Sequence, residues 1–304
     1  MPTTYIPTLV YENAHAEAIW DVAWSKRTNL IVTGGADNLV KCWDGTSGEL
    51  KYTLEKHSLG VHSVDTNHDG SRALSASLDS TICLWDLENN GALVTSFNPG
   101  ALQAWKAKFS PDGKYFASGS HSGDLNVYSI ENGDKVASYS SKNNFAMCVA
   151  YSPDGKYLAG GADDGSISVF DVETNQLIHS LPAHNMAVRD LTFAPDGRTL
   201  ISGSDDRCIN VYDVEHGQLA SVLTATNDWV LSVAANPDIS KQQLASGSGD
   251  NKIRIWDLNM RSLLEIHEDH TDEVWGVAWN SEGTKLVSAS ADMSIKWFAS
   301  SGSS

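Results

Sequence analysis

A unit of about 42 residues recurs along the whole chain, and it constrains the fold before any other feature does. Runs ending in an aromatic residue place Trp43, Trp85, Tyr128, Phe170, Tyr212, Trp256 and Phe298 at separations of 42, 43, 42, 42, 44 and 42 residues. Six residues before each stands Asp37, Asp79, Ser122, Asp164, Asp206, Asp250 or Asp292, an acid in six of the seven units. Turn sequences recur as well: Ser-Pro-Asp-Gly at 110–113 and 152–155, Ala-Pro-Asp-Gly at 194–197. Each unit holds four β-patterned runs; in the last they include Trp275 to Trp279, Leu286 to Ser290 and Ile295 to Phe298. A lone four-stranded sheet of this kind leaves both faces wet, so it needs copies of itself to bury them.

That period, with four short strands per unit, is the period of a propeller blade. The expected fold is all-β: a seven-bladed β-propeller forming one domain over 1–304. Its units fall at roughly 13–50, 51–92, 93–136, 137–178, 179–220, 221–262 and 263–304. The seventh unit reaches Ser304 soon after its third strand, while Tyr5 to Glu12 has strand composition and no blade of its own. Residues 5–12 are therefore expected to close the ring as the outer strand of the last blade, which otherwise exposes a pairing edge.

Composition narrows the chemistry. With 38 acidic against 21 basic residues the net charge is −17. That field repels a phosphate backbone, and no Lys/Arg cluster reverses it locally, so no direct nucleic-acid partner is expected. No apolar run approaches the roughly 20 residues that span a bilayer, so no membrane partner is expected either. The opening Met-Pro-Thr-Thr-Tyr lacks the basic and apolar regions of a secretory signal. Cys42, Cys83, Cys148 and Cys208 form no CxxC pair and suit buried structural thiols, and no Asn-x-Ser/Thr sequon occurs. The compartments expected are cytoplasm and nucleus.

His15, His57, His184 and His270 each lie four residues before an apolar strand position, in units that also carry the acid, an aromatic and a Ser/Thr-rich second strand. Ser, His and Asp together invite a hydrolase reading. An identical catalytic site repeated around a ring is implausible, whereas a buried His–Asp–Ser–Trp chain satisfies four polar groups at once. The expected structural network is His15, Asp37 and Trp43; His57, Asp79 and Trp85; His184 and Asp206; Asp250 and Trp256; His270 and Asp292. Units three, four and six carry Gly100, Lys142 and Thr226 where the histidine would stand, and are expected to be less tightly locked. No Gly-x-Ser-x-Gly, phosphate loop or dinucleotide fingerprint is present, and His62, His68, His121, His179, His216 and His267 show no metal-ligand spacing. No catalytic residue, metal or cofactor is assigned.

Binding is expected on the face where loops enter the innermost strands. Two positions flank the start of each inner strand there, and the candidate residues are Trp20, Trp105, Phe145, Met147, Arg189, Trp229, Leu231, Glu273 and Trp275. Ala18, Gly60, His62, Gln103 and Ala187 complete the set, and Leu78, His121, Asp163 and Asp205 precede the repeat acids. Four of the ten tryptophans thus map to one rim, while Trp24, Trp279 and Trp297 read as inner core. Packing around the channel is one reading of the rim tryptophans and an interface is the other. A propeller needs only one large aromatic per blade, and Trp and Arg dominate binding hot spots. Asp205, Asp228, Asp272 and Glu273 are placed to receive a basic side chain.

Trp-Asp pairs at Trp43–Asp44, Trp85–Asp86 and Trp256–Asp257 resemble the WD40 repeat, making the expected fold a WD40 β-propeller. More specific segments are LGVHSVD (Leu59 to Asp65), AWKAKFSPD (Ala104 to Asp112) and DEVWGVAWN (Asp272 to Asn280), with AIWDVAW (Ala18 to Trp24) and WVLSVA (Trp229 to Ala234) beside them. Together they resemble the WD-repeat subunit of the superkiller (Ski) complex over essentially the whole chain. That resemblance implies a scaffold for a tetratricopeptide-repeat protein and a helicase that feed mRNA to the exosome for 3′-to-5′ decay. It also implies partners in the polymerase-associated factor complex of transcription elongation and histone modification, and in fungi a role in meiotic recombination. The family grips short peptides on its top face, and the matching positions include Trp20, Trp105, Trp229 and Trp275. Gly60, Ala187 and His121 depart from that pattern. Rival readings fare worse. A G-protein β subunit wants an N-terminal coiled-coil helix, and about 14 residues precede His15. A generic adaptor such as a ubiquitin-ligase substrate receptor commonly carries Arg two residues after Trp-Asp, where Thr46, Glu88 and Asn259 stand here.

Overall fold

The structure, a computed structural model, describes residues 4–99, 106–141, 145–182, 184–224 and 226–301. Among these, 28 strands form seven four-stranded antiparallel sheets. Blade one comprises Ile19–Trp24, Leu30–Gly35, Val40–Asp44 and Leu50–Leu54. Blades two to six span 61–97, 107–140, 146–182, 188–223 and 230–267. Blade seven is built from Val274–Trp279, Lys285–Ser290 and Ile295–Ser300, and its fourth strand is Tyr5–Tyr11. The unit boundaries set from the sequence need correcting, because each cuts the fourth strand of a blade. Leu50–Leu54 straddles the boundary at 50, for example, and pairs back onto Val40–Asp44. Outer strands such as Ala92–Phe97 are mostly exposed and lack clean alternation, so their sequence signal is weak.

Burial explains the stacking. The inner and second strands are closed on both faces, as in Leu30–Gly35, where every residue is buried. The hydrophobic residues gather into seven clusters, and each draws on two adjacent sheets. Trp85 of blade two, for instance, packs with Val32, Val40 and Cys42 of blade one. The core is thus a ring of seams and not a central mass.

Closure occurs where the sequence places it. Tyr5 pairs with Ser300 and Tyr11 with Ile295, with a register shift between Pro7 and Leu9. Proline is tolerated there because the outer strand has no further neighbour to receive its missing N–H. Tyr5 is 2% exposed and sets its ring edge-on to Trp279 at 5.0 Å. Its hydroxyl donates to Gln243 Oε1 at 2.9 Å, tying the first strand to blade six as well. The closing strand therefore seals a seam as well as an edge.

Because Trp85 fills one seam, Trp85→Ala is expected to cost about 3–5 kcal/mol in urea unfolding. A loss under about 1 kcal/mol would mean that the seams do not carry the stability.

Candidate functional site

Four blades show the expected polar chain at their upper end. In blade one, Trp43 Nε1 donates to Thr33 Oγ1 at 3.0 Å, the Thr33 hydroxyl lies 2.8 Å from His15 Nε2, and His15 Nδ1 lies 2.8 Å from Asp37. A carboxylate only accepts, so Nδ1 carries the proton and Nε2 takes the hydroxyl's hydrogen. Blade two repeats this with Trp85, Ser75, His57 and Asp79. Blades five and seven keep His184–Asp206 with Ser202 and His270–Asp292 with Ser288, although Tyr212 and Phe298 replace the tryptophan. Each acid also accepts the backbone N–H that follows the histidine, as Asp79 does from Ser58 at 2.9 Å. The chain therefore pins a loop to two strands.

Blade six overturns the expectation that it is loosely locked. Arg254, only 1% exposed, reaches Asp250 through both terminal nitrogens and also donates to Ser248 Oγ at 2.9 Å. Trp256 still donates to Ser246 at 2.9 Å. A permanently charged fork on the third strand replaces the neutral histidine of the loop. Gly100 and Lys142, the corresponding residues of blades three and four, lie outside the described residues.

Backbone irregularity decides what faces the upper rim. Six inner strands carry a register shift at the same place: between Ile19 and Asp21, Val61 and Ser63, Ala146 and Cys148, Val188 and Asp190, Val230 and Ser232, and Val274 and Gly276. The residue inside each bulge is Trp20, His62, Met147, Arg189, Leu231 or Trp275, one of the two rim positions read from the sequence. A bulge re-aims the side chain it carries. Two of these side chains lean toward the entry loop of the next blade. A methyl group on Gly60 would strike the Trp20 ring, so the glycine makes room for that indole. Arg189 sits over the Trp229 ring at 5.6 Å, held by two hydrogen bonds to Asp205 at 2.7 and 2.6 Å.

Placement of the candidates is uneven. Trp229 is 40% exposed, while Trp20, Trp275, Phe145, Arg189 and Glu273 are half-buried. Leu231 and Met147 are buried at 3% and 9%, which corrects their assignment to the open rim: smaller or flexible apolar side chains in the bulge fold inward. Trp105 lies outside the described residues. Phe145 stacks on His121 with centroids 4.0 Å apart and planes 5° from parallel. Asp205 is engaged by Arg189 and is no longer available for a docked cation, whereas Asp228 and Asp272 spend one oxygen each on a following backbone N–H. The sequence reading named Leu78 on this face but missed Leu59 and Met186, which are exposed at 50% and 47% in loops entering inner strands. Their signal was an apolar residue directly before the small Gly60 and Ala187.

Below the rim the channel holds charges that the sequence reading did not single out. Lys106 pairs with Asp190 at 2.8 Å across two blades, and Lys108 lies 3.4 Å from Asp65. Burial works against the Lys106 ammonium, but Asp190 and Asp21 hold its pKa above the ordinary lysine value. Aspartates also stitch neighbouring inner strands: Val64 N donates to Asp21, Phe109 N to Asp65 and Val233 N to Asp190, at 2.8–2.9 Å. Cys42, Cys83 and Cys148 are buried free thiols and Cys208 is half-buried. Among the described residues, no group of three or more His, Cys, Asp or Glu side chains is arranged to hold a metal ion.

The family described as WD domain, G-beta repeat matches the chain at 6–44, 48–86, 93–129, 133–171, 175–213, 217–257 and 261–298. WD repeat-containing protein SL1-17 of Schistosoma mansoni is 38% identical over 147 residues, covering 46% of this chain and 48% of its own. WD repeat-containing protein VIP3 of Arabidopsis thaliana is 36% identical over 110 residues, 35% of this chain and 34% of its own. Pre-mRNA-processing factor 19 of Oryza sativa subsp. japonica is 28% identical over 130 residues, 41% of this chain and 24% of its own. The chain thus spans about half the length of the first of these relatives and less of the others.

The polar chains make stability pH-dependent. Burial pushes the His15, His57 and His184 rings below the ordinary histidine value, against the pull of their aspartates. Burial raises the aspartates, yet hydrogen bonds from hydroxyls, amides and imidazoles leave Asp37, Asp79 and Asp206 below the carboxylate range, Asp79 at about 2. A histidine with a lowered folded pKa stays neutral while the unfolded chain takes up protons, so stability falls as pH drops below about 6.5. The aspartates add a second loss below about 4. Denaturation midpoints are expected to decline from pH 7.5 to 5, and less steeply in His57→Gln. A flat profile over that interval would contradict neutral relay histidines.

Proposed function

Because the chain belongs to the WD40-repeat family, we propose that it is a non-catalytic protein-interaction scaffold that docks peptide segments of its partners on the upper face. The WD40 propeller is typically non-catalytic, and the repeated Ser–His–Asp sets here are spent on holding loops to strands. The observation that carries the reading is Trp229. It is exposed, backed by an arginine that is itself fixed by a carboxylate fork, and shares its face with exposed Leu59, Leu78 and Met186. A rigid, half-desolvated indole among apolar neighbours is the composition of a binding hot spot.

More narrowly, the proposed assembly is the Ski complex, with a tetratricopeptide-repeat scaffold and a helicase as partners in exosome-mediated mRNA decay. Its support is the set of segments at Leu59 to Asp65, Ala104 to Asp112 and Asp272 to Asn280. A relative named for pre-mRNA processing agrees with work near RNA through other proteins. The same resemblance extends to the polymerase-associated factor complex, and the proposed compartments are cytoplasm and nucleus.

Trp229→Ala is expected to weaken partner capture by at least about 2 kcal/mol, roughly 30-fold, while stability stays within about 0.5 kcal/mol. Trp275→Ala is expected to lose capture as well. Parallel loss of folding and binding would assign these indoles to packing. Affinity purification with mass spectrometry is expected to recover a tetratricopeptide-repeat protein and a helicase. Elongation factors alone, or neither set, would displace the Ski assignment.

A further inference from the structure

The lower face, where turns join first to second strands, carries a feature that the upper-face reading does not use. A hollow of about 350 Å³ opens between blades three and four. Tyr115 and Tyr139 of blade three and Tyr151 of blade four form its walls, above Val127, Val136 and Val172. Tyr115 and Val136 are still 38% and 52% exposed. The turn residues Asp112 and Asp154 stand at its lip.

This seam is unlike the tight ones. A methyl group on the turn glycine Gly70 would strike Ser25 and Arg27 of blade one, and one on Gly283 would strike Asn236 of blade six. At Gly155 the nearest atom would be Pro111, 3.9 Å away, so the turn of blade four stands off from blade three, and the turns at Gly113 and Gly197 are similarly open. Other hollows on the blades around it carry opposite charges: Arg72, Lys114 and Glu131 between blades two and three, Arg198 and Glu215 on blade five. Here the walls are apolar. Tyr139 is only 4% exposed, yet among the described residues neither its hydroxyl nor that of Tyr151 makes a hydrogen bond. Neither oxygen is a buried orphan, so both phenols stay open to a group that enters the apolar hollow.

The lip specifies the charge of that ligand. Asp112 Oδ1 accepts from the Ser110 hydroxyl and Lys114 N, and Asp154 Oδ1 from the Ser152 hydroxyl and Lys156 N, while both Oδ2 atoms stay outside these turn bonds. Lys156 holds its ammonium over the Tyr157 ring at 4.8 Å and is shared electrostatically between Asp171 and Asp154, so it offsets the lip charge only in part. A net charge of −17 draws cationic segments toward the whole molecule.

We propose that this cleft is a second docking site, taking a linear segment of a partner protein in which an arginine neighbours a leucine-like side chain. The aliphatic group fills the tyrosine-walled hollow, and the guanidinium bridges Asp112 and Asp154, a geometry that its planar fork of donors suits. The upper-face reading is not needed for this site.

The test is fluorescence polarisation of the full chain with labelled hexapeptides that pair arginine with leucine. Controls replace arginine by glutamate or leucine by serine. The paired peptides are expected to bind at least about tenfold more tightly than either control. Asp112→Asn with Asp154→Asn keeps the turn acceptors but removes the charge, and Val136→Arg places a like charge on an exposed wall. Each is expected to weaken binding about tenfold with unchanged melting curves, while Trp229→Ala leaves it intact. Equal binding of the controls, indifference to both lip and wall variants, or loss in Trp229→Ala would overturn the proposal.

Discussion

Everything in this molecule depends on sheet faces being buried against other sheet faces around a closed circuit. No blade has a core of its own; the seven hydrophobic clusters lie between blades, each shared by two sheets. A linear stack would leave two wet faces and one unpaired edge, costs that grow with the apolar area exposed. Pairing Tyr5–Tyr11 with Ile295–Ser300 removes the edge and also drives Tyr5 into the seam between blades six and seven. Closure is thus a packing event as much as a hydrogen-bonding one.

Polar groups buried inside such a ring need hydrogen-bond partners close at hand. The chain solves this in two ways. At the upper end, a side-chain relay from Trp43 or Trp85 through a hydroxyl to histidine and aspartate fixes the entry loop. Nearer the channel, Asp21, Asp65 and Asp190 accept backbone N–H groups of the next inner strand in line. The first device locks blades one, two, five and seven within themselves, and the second locks blades one, two and five to the next in line. Arg254 shows that the upper lock is a geometric requirement with more than one chemical solution.

Much of the fold was legible because repetition multiplies weak signals. A single aromatic after a single acid means little, but seven at nearly constant spacing fix blade number and order. The closing strand followed from counting three strands in the last unit and one spare run before the first. What stayed hidden was whatever does not repeat as a residue type. The fourth strands vary in composition, so the boundaries fell inside them. The bulges are a backbone property with no residue signature, since Trp20, His62, Met147, Arg189, Leu231 and Trp275 share neither size nor polarity. Spacing picked out the bulged positions, while which of them reach solvent depended on bulk and neighbours: Leu231 turned inward, and Trp20 is sheltered over Gly60. Arg254 and the Lys106–Asp190 pair were missed because residue type varies at those repeat positions: Arg254 stands where other units carry Cys83, Asn126 or Ser168, and Lys106 and Asp190 share one position two units apart.

That same independence of position from residue type explains how a rigid ring can be selective. Among the described residues the bulge sets a fixed direction at six inner strands and leaves the side chain free to vary, so the rim is a frame with six interchangeable fittings. Strain or flexibility is not required to make a site on it. Where the fittings support one another, as Asp205 holds Arg189 and Arg189 backs Trp229, an exposed indole is immobilised before any partner arrives. Ordering cost is one of the main charges against affinity, and an aromatic already fixed in place avoids most of it. The propeller's contribution to recognition is then preorganisation: closure of the ring holds the strands, the relays hold the loops, and the bulges hold out a surface whose specificity lies in a few unrepeated residues.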